Sequence, residues 1–521
     1  MSIQKQPKTD IKELLKKAAG NSGNDEVYHK MGDYYKEQGN LKRAGLCYSH
    51  SSFLREQTEK APPASGASAE LTEESIKDIP GVGIILPSVP ALEQMKVILK
   101  TCFSLREDCR TLVVIDWEES AEVTEWLKEQ KEISIVPGKG ISTALAYERA
   151  AGLTKDSEDL LIMGQGSALL NHALFQLRMS LYKDPDIGAV SAVTNGPAFG
   201  LTDFETPVQR ADVYAAEHNL PGDEHMTPAL IPSCCTVLVR KDLWKEVHGF
   251  DEHFFTQEVL EKDLCFQLLH KKKITYICHH AYVYTFGQLQ NNRARWDDYN
   301  YFHRKWGVRL NYSLFSRPDI LALITDPEET PITVLDVGCA CGATLLSIKN
   351  KYPDARLHGI ELDTGSWKIS SLLFPVTRSN VEENLDYPED FFDYIIFGDV
   401  LEHLYRPEAV LANIKRFLKP GGAVLASIPN VMHISVISEL LNGFWTYQES
   451  GILDRTHLRF FTKTEITRMF SKAGYEIEST SVTRVWISEE QQKLISQLCS
   501  ISQSQPEAFT TYQYLVKARK I

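Results

Sequence analysis

Residues 334–345 read VLDVGCACGATL. An apolar run ends at Asp336, small residues follow as far as Gly342, and a helical pattern resumes at Ala343. Cys339 and Cys341 flank Ala340, a spacing that suits either a thiol site or a loop whose smallness lets a ligand touch bare backbone. A zinc site needs a second Cys or His pair at ligand spacing, and the nearby sequence has none, so no metal is expected here. Gly338 and Gly342 lack side chains, so an adenosine-type ligand can lie against the peptide groups and the first helical amides. About twenty residues on, RLHGIELD ends a second strand-like run at Glu361, where a carboxylate can accept hydrogen bonds from both hydroxyls of a ribose.

A second group of residues has proton chemistry available. PNVMHIS carries His433, and GILDRTHLRFFT carries Asp454 and His457. An imidazole or carboxylate in reach of a hydroxyl acceptor acts as a general base, an effect of about a hundred- to ten-thousand-fold. The elements that must position these groups alternate. FFDYIIFGDVLEHL is a third buried strand ending at Asp399, and FLKPGGAVLASIPN is a helix end, a Pro-Gly-Gly turn and another strand. Strands that alternate with helices imply a parallel α/β sheet with ligands at the carboxyl ends of its strands.

Together the loop, the spaced acid and the following strands resemble class I S-adenosylmethionine-dependent methyltransferases of the seven-stranded kind, over roughly residues 310 to 521. The resemblance implies S-adenosyl-L-methionine as cofactor, with Asp336, Gly338, Ala340 and Gly342 beneath it and Glu361 on its ribose. Asp399 to His403 would line the strand end near the methionine moiety and the substrate. Ala340 stands where the family often has a third glycine, and its methyl group fits there if φ is negative. Asn380, in TRSNVEEN, stands where the family often places an acid against the adenine amino group. The segment with Asp454 and His457 resembles one found after the fifth strand in methyltransferases of bacterial surface-sugar and quinone pathways. Methyl transfer is an in-line displacement, so holding donor and acceptor together can supply roughly 7 to 11 kcal/mol.

A separate alternating series begins at Gly81: VGIILP, TLVVID, ISIV and DLLIMG are strand-like, with helical stretches between them. With LVRKDLWKEVHGFDEHFF and EKDLCFQLLHKKKITYICHHAYVYT, this series resembles the nucleotide-sugar glycosyltransferases of the GT-A fold, from about Val82 to Phe286. By that resemblance Asp116 contacts the base or ribose of a nucleotide sugar, and Glu261 or Asp263 lies near the place of the general base. The fourth strand departs from the family: it ends LLIMGQGSALL, and Gly164, Gln165 and Gly166 offer no carboxylate for a divalent cation. A metal-independent transferase and a domain that binds glycan both fit these residues.

Upstream, VYHKMGDYYKEQGNLKRAGLCYSHSSF resembles a single tetratricopeptide repeat, two helices in which Gly32 and Ala44 leave room at the crossing. One such repeat cannot bury its apolar face alone, so Tyr28 and Tyr35 must pack on a neighbouring helix, a later domain or a protein partner. PPASGASAE has no periodic apolar face and reads as linker.

The expected organisation is a helical hairpin over 1–57, a linker over 58–79, a GT-A-like domain over 80–306 and a methyltransferase domain over 307–521. The fold class is α/β, with two doubly wound domains. A chain of 521 residues with 43% apolar and 24% charged residues is long enough for about three such units. A formal charge of −13 argues against nucleic acid or an anionic membrane as partner. No apolar run reaches membrane-span length and the first residues carry no signal-peptide core, so a cytoplasmic protein is expected. Its ten scattered cysteines, the vicinal Cys234 and Cys235 included, read as reduced thiols. The function expected is methylation of a sugar or glycan hydroxyl in bacterial-type surface polysaccharide or glycoconjugate synthesis. Alternatives are a glycosyltransferase with an accessory methyltransferase domain and a non-catalytic glycan-binding scaffold.

Overall fold

The computed structural model describes residues 10–57, 79–104, 109–194, 208–220, 226–233, 236–286, 296–310 and 312–521. The expected linker, apart from Ile79, and the pair Cys234 and Cys235 lie outside the described residues. The chain forms two compact units, Met1–Lys305 and Trp306–Ile521.

The first unit opens with three helices, Ile11–Gly20, Asp25–Glu37 and Leu41–Gln57, one more than a hairpin. Asp10 starts the first of them by accepting a hydrogen bond from the Lys12 amide. The second and third close tightly because Gly32 has no side chain; a Cβ there would sit 2.6 Å from the Tyr48 ring. Tyr28 is fully buried and meets Phe175 edge-on at 5.6 Å, while His50 stacks on the same ring at 4.3 Å. Tyr35 lies under the Arg43 guanidinium at 4.2 Å. The helical face is therefore covered by the α/β part of the same unit, and the two share one hydrophobic core.

That part is built on β1 (Gly81–Pro87), β2 (Cys109–Asp116), β3 (Ser134–Pro137), β4 (Glu158–Met163), β5 (Ser167–Leu169), β6 (Ile187–Thr194), β7 (Met226–Ala229), β8 (Thr236–Val239) and β9 (Ile274–Thr285). The order is β3-β2-β1-β4-β8-β6-β9-β5, with β7 also paired to β9. The first four strands are parallel, and β1 and β4 are buried along their whole length, as strands covered on both faces must be. The wholly parallel sheet expected from the sequence stops there. β8 runs antiparallel to both β4 and β6, and β5 and β7 run antiparallel to β9, so the sheet is mixed.

The second unit holds β10 (Thr333–Val337), β11 (Arg356–Glu361), β12 (Val376–Arg378), β13 (Phe392–Gly398), β14 (Leu418–Pro429), β15 (Tyr475–Thr483) and β16 (Gln513–Lys520). Its order is β12-β11-β10-β13-β14-β16-β15. The first five strands are parallel, and β16 is inserted antiparallel between β14 and β15. The chain leaves β10 toward β11 on one side and returns to β13 on the other. A crevice opens at such a switch point, beyond the carboxyl ends of the strands. Among the described residues no helix is long and apolar enough to cross a membrane.

Candidate functional site

The loop after β10 turns sharply. Gly338, Ala340 and Gly342 all have positive φ, at 72°, 48° and 88°. Gly338 is required there, since a Cβ would lie 2.8 Å from Cγ2 of Val400. The amides of Gly338 and Cys339 both donate to the Ile360 carbonyl, which ties the loop to the end of β11. Ala340 corrects the sequence expectation of a negative φ. Its left-handed conformation carries a steric cost of roughly 1–2 kcal/mol. It is held by a 2.8 Å hydrogen bond from its amide to Oε2 of Glu361.

Glu361 is thus part of the loop's construction. Its Oε1 accepts from the Asp363 amide at 2.7 Å, and each oxygen retains a lone pair for a further donor. Burial raises its carboxyl above the ordinary range, against the Asp363 and Ala340 amides that favour its charge. Asp336 lies beneath the loop, where burial and the neighbouring Glu361 push its carboxyl up to about 8 despite Arg317. Cys339 and Cys341 are buried, and burial pushes both thiols far above their usual range, so both are protonated packing groups. The Cys339 sulfur fills the space over Gly359, where a Cβ would approach it to 2.7 Å.

Asp399 closes β13 with a positive φ of 56°. Its Oδ1 accepts from Oγ of Ser427 at 2.7 Å and from Nε2 of Gln513 at 2.8 Å, and its Oδ2 is paired with Arg317. Asn380 sits half-buried beyond β12, with its Oδ1 accepting from the Glu382 amide at 3.0 Å.

The candidate bases fall into two environments. His433 is built into the start of the helix Ile434–Leu441, where its Nδ1 accepts from the Ser435 amide, and burial lowers its pKa. His457 lies near Glu402 and His403, both on the single turn Leu401–His403 that follows β13. Its Nδ1 is 2.9 Å from the Ile452 carbonyl, its Nε2 is 4.0 Å from Oε1 of Glu402, and its ring meets His403 edge-on at 4.7 Å. Burial lowers the His457 pKa, partly offset by that bond to Ile452. Burial also raises Asp454, but hydrogen bonds from Thr456 and the nearby histidines outweigh it and hold the carboxyl low. Asp454 therefore braces the Thr456 turn. Glu402 lies within the Asp399–His403 stretch expected near the methionine moiety but has no individual role in that expectation, and Arg317 lies outside it. The acid beside a histidine in DVLEHL was the available signal for Glu402, and Arg317 carries none.

In the first unit, Asp116 is buried at the end of β2, accepting from Ser88 Oγ at 3.1 Å and from the Glu118 amide at 3.0 Å. Gln165, beyond β4, donates to the Ser88 carbonyl and to Glu119. Glu261 accepts from Gln257, which also donates to the Met163 carbonyl at the end of β4. Asp263 is fully buried in an ion pair with Lys305 at 2.7 Å. Of the two expected bases Glu261 is engaged toward the strand ends, while Asp263 shares the Lys305 cation with Asp251.

Residues 309–480 match the family model of a methyltransferase domain. The chain is 26% identical to the ubiquinone biosynthesis O-methyltransferase of Thiobacillus denitrificans over 186 residues, 34% of this chain and 79% of that protein. It is 30% identical to the enzyme of the same name from Psychrobacter arcticus over 156 residues, 27% of this chain and 58% of that protein. It is 31% identical to ajmaline N-methyltransferase of Rauvolfia serpentina over 108 residues, 19% of this chain and 37% of that protein. The second unit therefore carries an S-adenosylmethionine-dependent methyltransferase enzyme, with S-adenosyl-L-methionine as its cofactor.

Proposed function

We propose that the chain is an O-methyltransferase whose acceptor is a hydroxyl on a sugar or glycan. The observation that carries this reading is the meeting of the Gly338–Gly342 loop with Glu361 at the switch point of the second sheet, through the 2.8 Å bond from the Ala340 amide. When bound, S-adenosylmethionine supplies the sulfonium from which the methyl group leaves. The loop amides are spent on Ile360, Glu361, Ser313 and Cys339, so the loop would serve by its lack of bulk, letting the adenosine approach the backbone. The remaining lone pairs of Glu361 would accept from its ribose hydroxyls, and Asn380 would stand at the adenine edge. Asp336 supports the loop from beneath. Asp399, fixed by Arg317, Ser427 and Gln513, frames the methionine end. Because Nδ1 of His457 donates to the Ile452 carbonyl, its Nε2 keeps a lone pair that can take the acceptor's proton. His433 and Asp454 act by shaping the surrounding turns. Oxygen is favoured as the methylated atom because relatives from two bacteria are named O-methyltransferases.

A sugar acceptor is favoured by the first unit, where Ser88, Asp116 and Gln165 gather at the carboxyl ends of β1, β2 and β4. That is where the GT-A resemblance expects a nucleotide sugar. Binding a sugar on the same chain raises its concentration for the second unit. The decisive experiment is mass spectrometry of products after incubation with methyl-labelled S-adenosylmethionine and a panel of nucleotide sugars, glycans and phenols. Label on a sugar oxygen is expected. Label on phenols alone removes the sugar acceptor. A glycosyl product that is lost with Asp116→Ala and unchanged without methyl donor favours glycosyl transfer as the primary activity. A chain that does not bind S-adenosylmethionine is the scaffold.

A further inference from the structure

In the first unit, β9 breaks step beside β6. Ser191 pairs with Ile277 and Val193 with Tyr282, so residues 278–281 of β9 stand opposite Ala192 alone. Side chains that follow one another on a regular strand point to opposite faces, and a bulge re-aims them. Here the adjacent His279 and His280 both line one cleft, whose volume is about 210 Å³. It lies toward the carboxyl ends of β6 and β9, and its wall is completed by Tyr282 and by Tyr214, Glu217 and His218 of the helix Val208–His218. In the sheet β8 separates it from β4, beyond which Gln165 joins Ser88 and Asp116.

The wall is fixed from behind. Asn219 is fully buried; its Oδ1 accepts from the Tyr282 amide at 2.6 Å, and its Nδ2 donates to the carbonyls of Tyr282 and Asn171 at 3.1 and 2.9 Å. Those bonds clamp the end of the helix to β9. The imidazoles are oriented as well. Nε2 of His279 is 2.8 Å from Oγ1 of Thr227, Nδ1 of His218 is 2.8 Å from the Tyr214 carbonyl, and Nδ1 of His280 meets the Leu220 carbonyl. A carbonyl can only accept, so the proton of each neutral His218 and His280 ring is on Nδ1 and Nε2 is an acceptor.

We propose that this cleft binds one uncharged sugar ring, with Tyr214, His218 and His280 as its principal contacts. A sugar has a C–H face that packs on an aromatic ring and hydroxyls that donate and accept, and aromatic and hydrogen-bonding groups meet here. Other ligand classes fit less well. No lysine or arginine is among the described residues that line the cleft, so it does not suit a phosphate or a carboxylate. Tyr214 is stacked on His218 at 3.6 Å and meets Tyr282 edge-on at 5.0 Å, which leaves no gap between these rings for an ammonium cage. Among the described residues, the imidazoles and Glu217 do not converge within reach of one metal ion. Pockets for drug-sized ligands run to roughly 300–1,000 Å³, so a cleft this small takes one ring. The site deepens the sugar reading of the proposed function and rests on it for the fate of the bound ring.

The test is saturation-transfer NMR on the full chain, with neither methyl donor nor nucleotide, against free neutral hexoses, 6-deoxyhexoses, hexosamines and hexuronates. A neutral sugar should receive saturation from the protein, and Tyr214→Ala should weaken its binding at least about fivefold, on the scale of an aromatic contact. His218 is exposed, so His218→Ala serves if Tyr214→Ala fails to fold. No transfer to any neutral sugar, transfer to the charged sugars alone, or unchanged affinity in the folded variant would each overturn the site. Binding that Asp116→Ala abolishes and Tyr214→Ala leaves intact would overturn it too, by moving the sugar to the end of β2. If the site fails while methyl label still appears on a sugar oxygen, the proposed function stands without it. If a neutral sugar binds as expected and label falls on phenols alone, the site stands and the sugar acceptor is withdrawn.

Discussion

Replacing Glu361 by alanine removes two contacts of different kinds. One is internal: its carboxylate accepts from the Ala340 amide at 2.8 Å and from the Asp363 amide at 2.7 Å. The other, on the proposed function, is the pair of ribose hydroxyls for which its remaining lone pairs are available. A hydrogen bond to a charged group is worth about 1.5–3 kcal/mol, so losing the ribose contact alone should weaken cofactor affinity about 10- to 150-fold. The internal loss adds to this by freeing Ala340, whose left-handed backbone is held by that bond. Isothermal titration with S-adenosylhomocysteine, which cannot turn over, isolates the effect, and circular dichroism checks that the sheet persists. Glu361→Gln keeps one acceptor oxygen and should fall between the two. An alanine variant that binds within twofold of the unaltered protein would show that the acid does not touch the cofactor, and the ribose assignment would be withdrawn.

Two further outcomes follow from the same loop. Ala340→Gly should stabilise the protein by about 0.5–1 kcal/mol, the relief of a left-handed alanine less the added freedom of glycine in the unfolded chain; urea denaturation measures it, and a destabilised variant would deny the strain. Asp336 titrates near 8 when folded but near 4 when exposed. Between those values the folded chain binds a proton that the unfolded chain has released, so stability falls as pH rises from about 4 to about 8 and is level above. Asp336→Asn should flatten the decline in thermal midpoint between about pH 5 and about pH 8, and an unchanged slope would mean that Asp336 ionises normally.

The acids at the strand ends were legible because buried parallel strands read as short apolar runs, and Asp336, Glu361 and Asp399 each interrupt one where a switch-point ligand would sit. What could not be read was anything fixed across a long stretch of chain. The φ of Ala340 depends on an acid 21 residues away, and the setting of Asp399 depends on Ser427 and Gln513, 28 and 114 residues away. The antiparallel β8 has four residues, too few for an alternation to declare its direction. Glu402 resembles any other acid beside a histidine until the fold encloses it. Asp263 and Glu261 look equivalent in the sequence, and Lys305, 42 residues from Asp263, is what separates them.

The insertion of β16 between β14 and β15 bears on how the molecule is made. Gln513, at the first position of β16, holds Asp399, a residue that leaves the ribosome 114 residues earlier. At roughly 5–20 residues per second, that interval is on the order of ten seconds. Within it β14 and then β15 are made before the strand that pairs with both, so nascent chains of this protein wait with an open seam in the sheet and an unfinished crevice beside it.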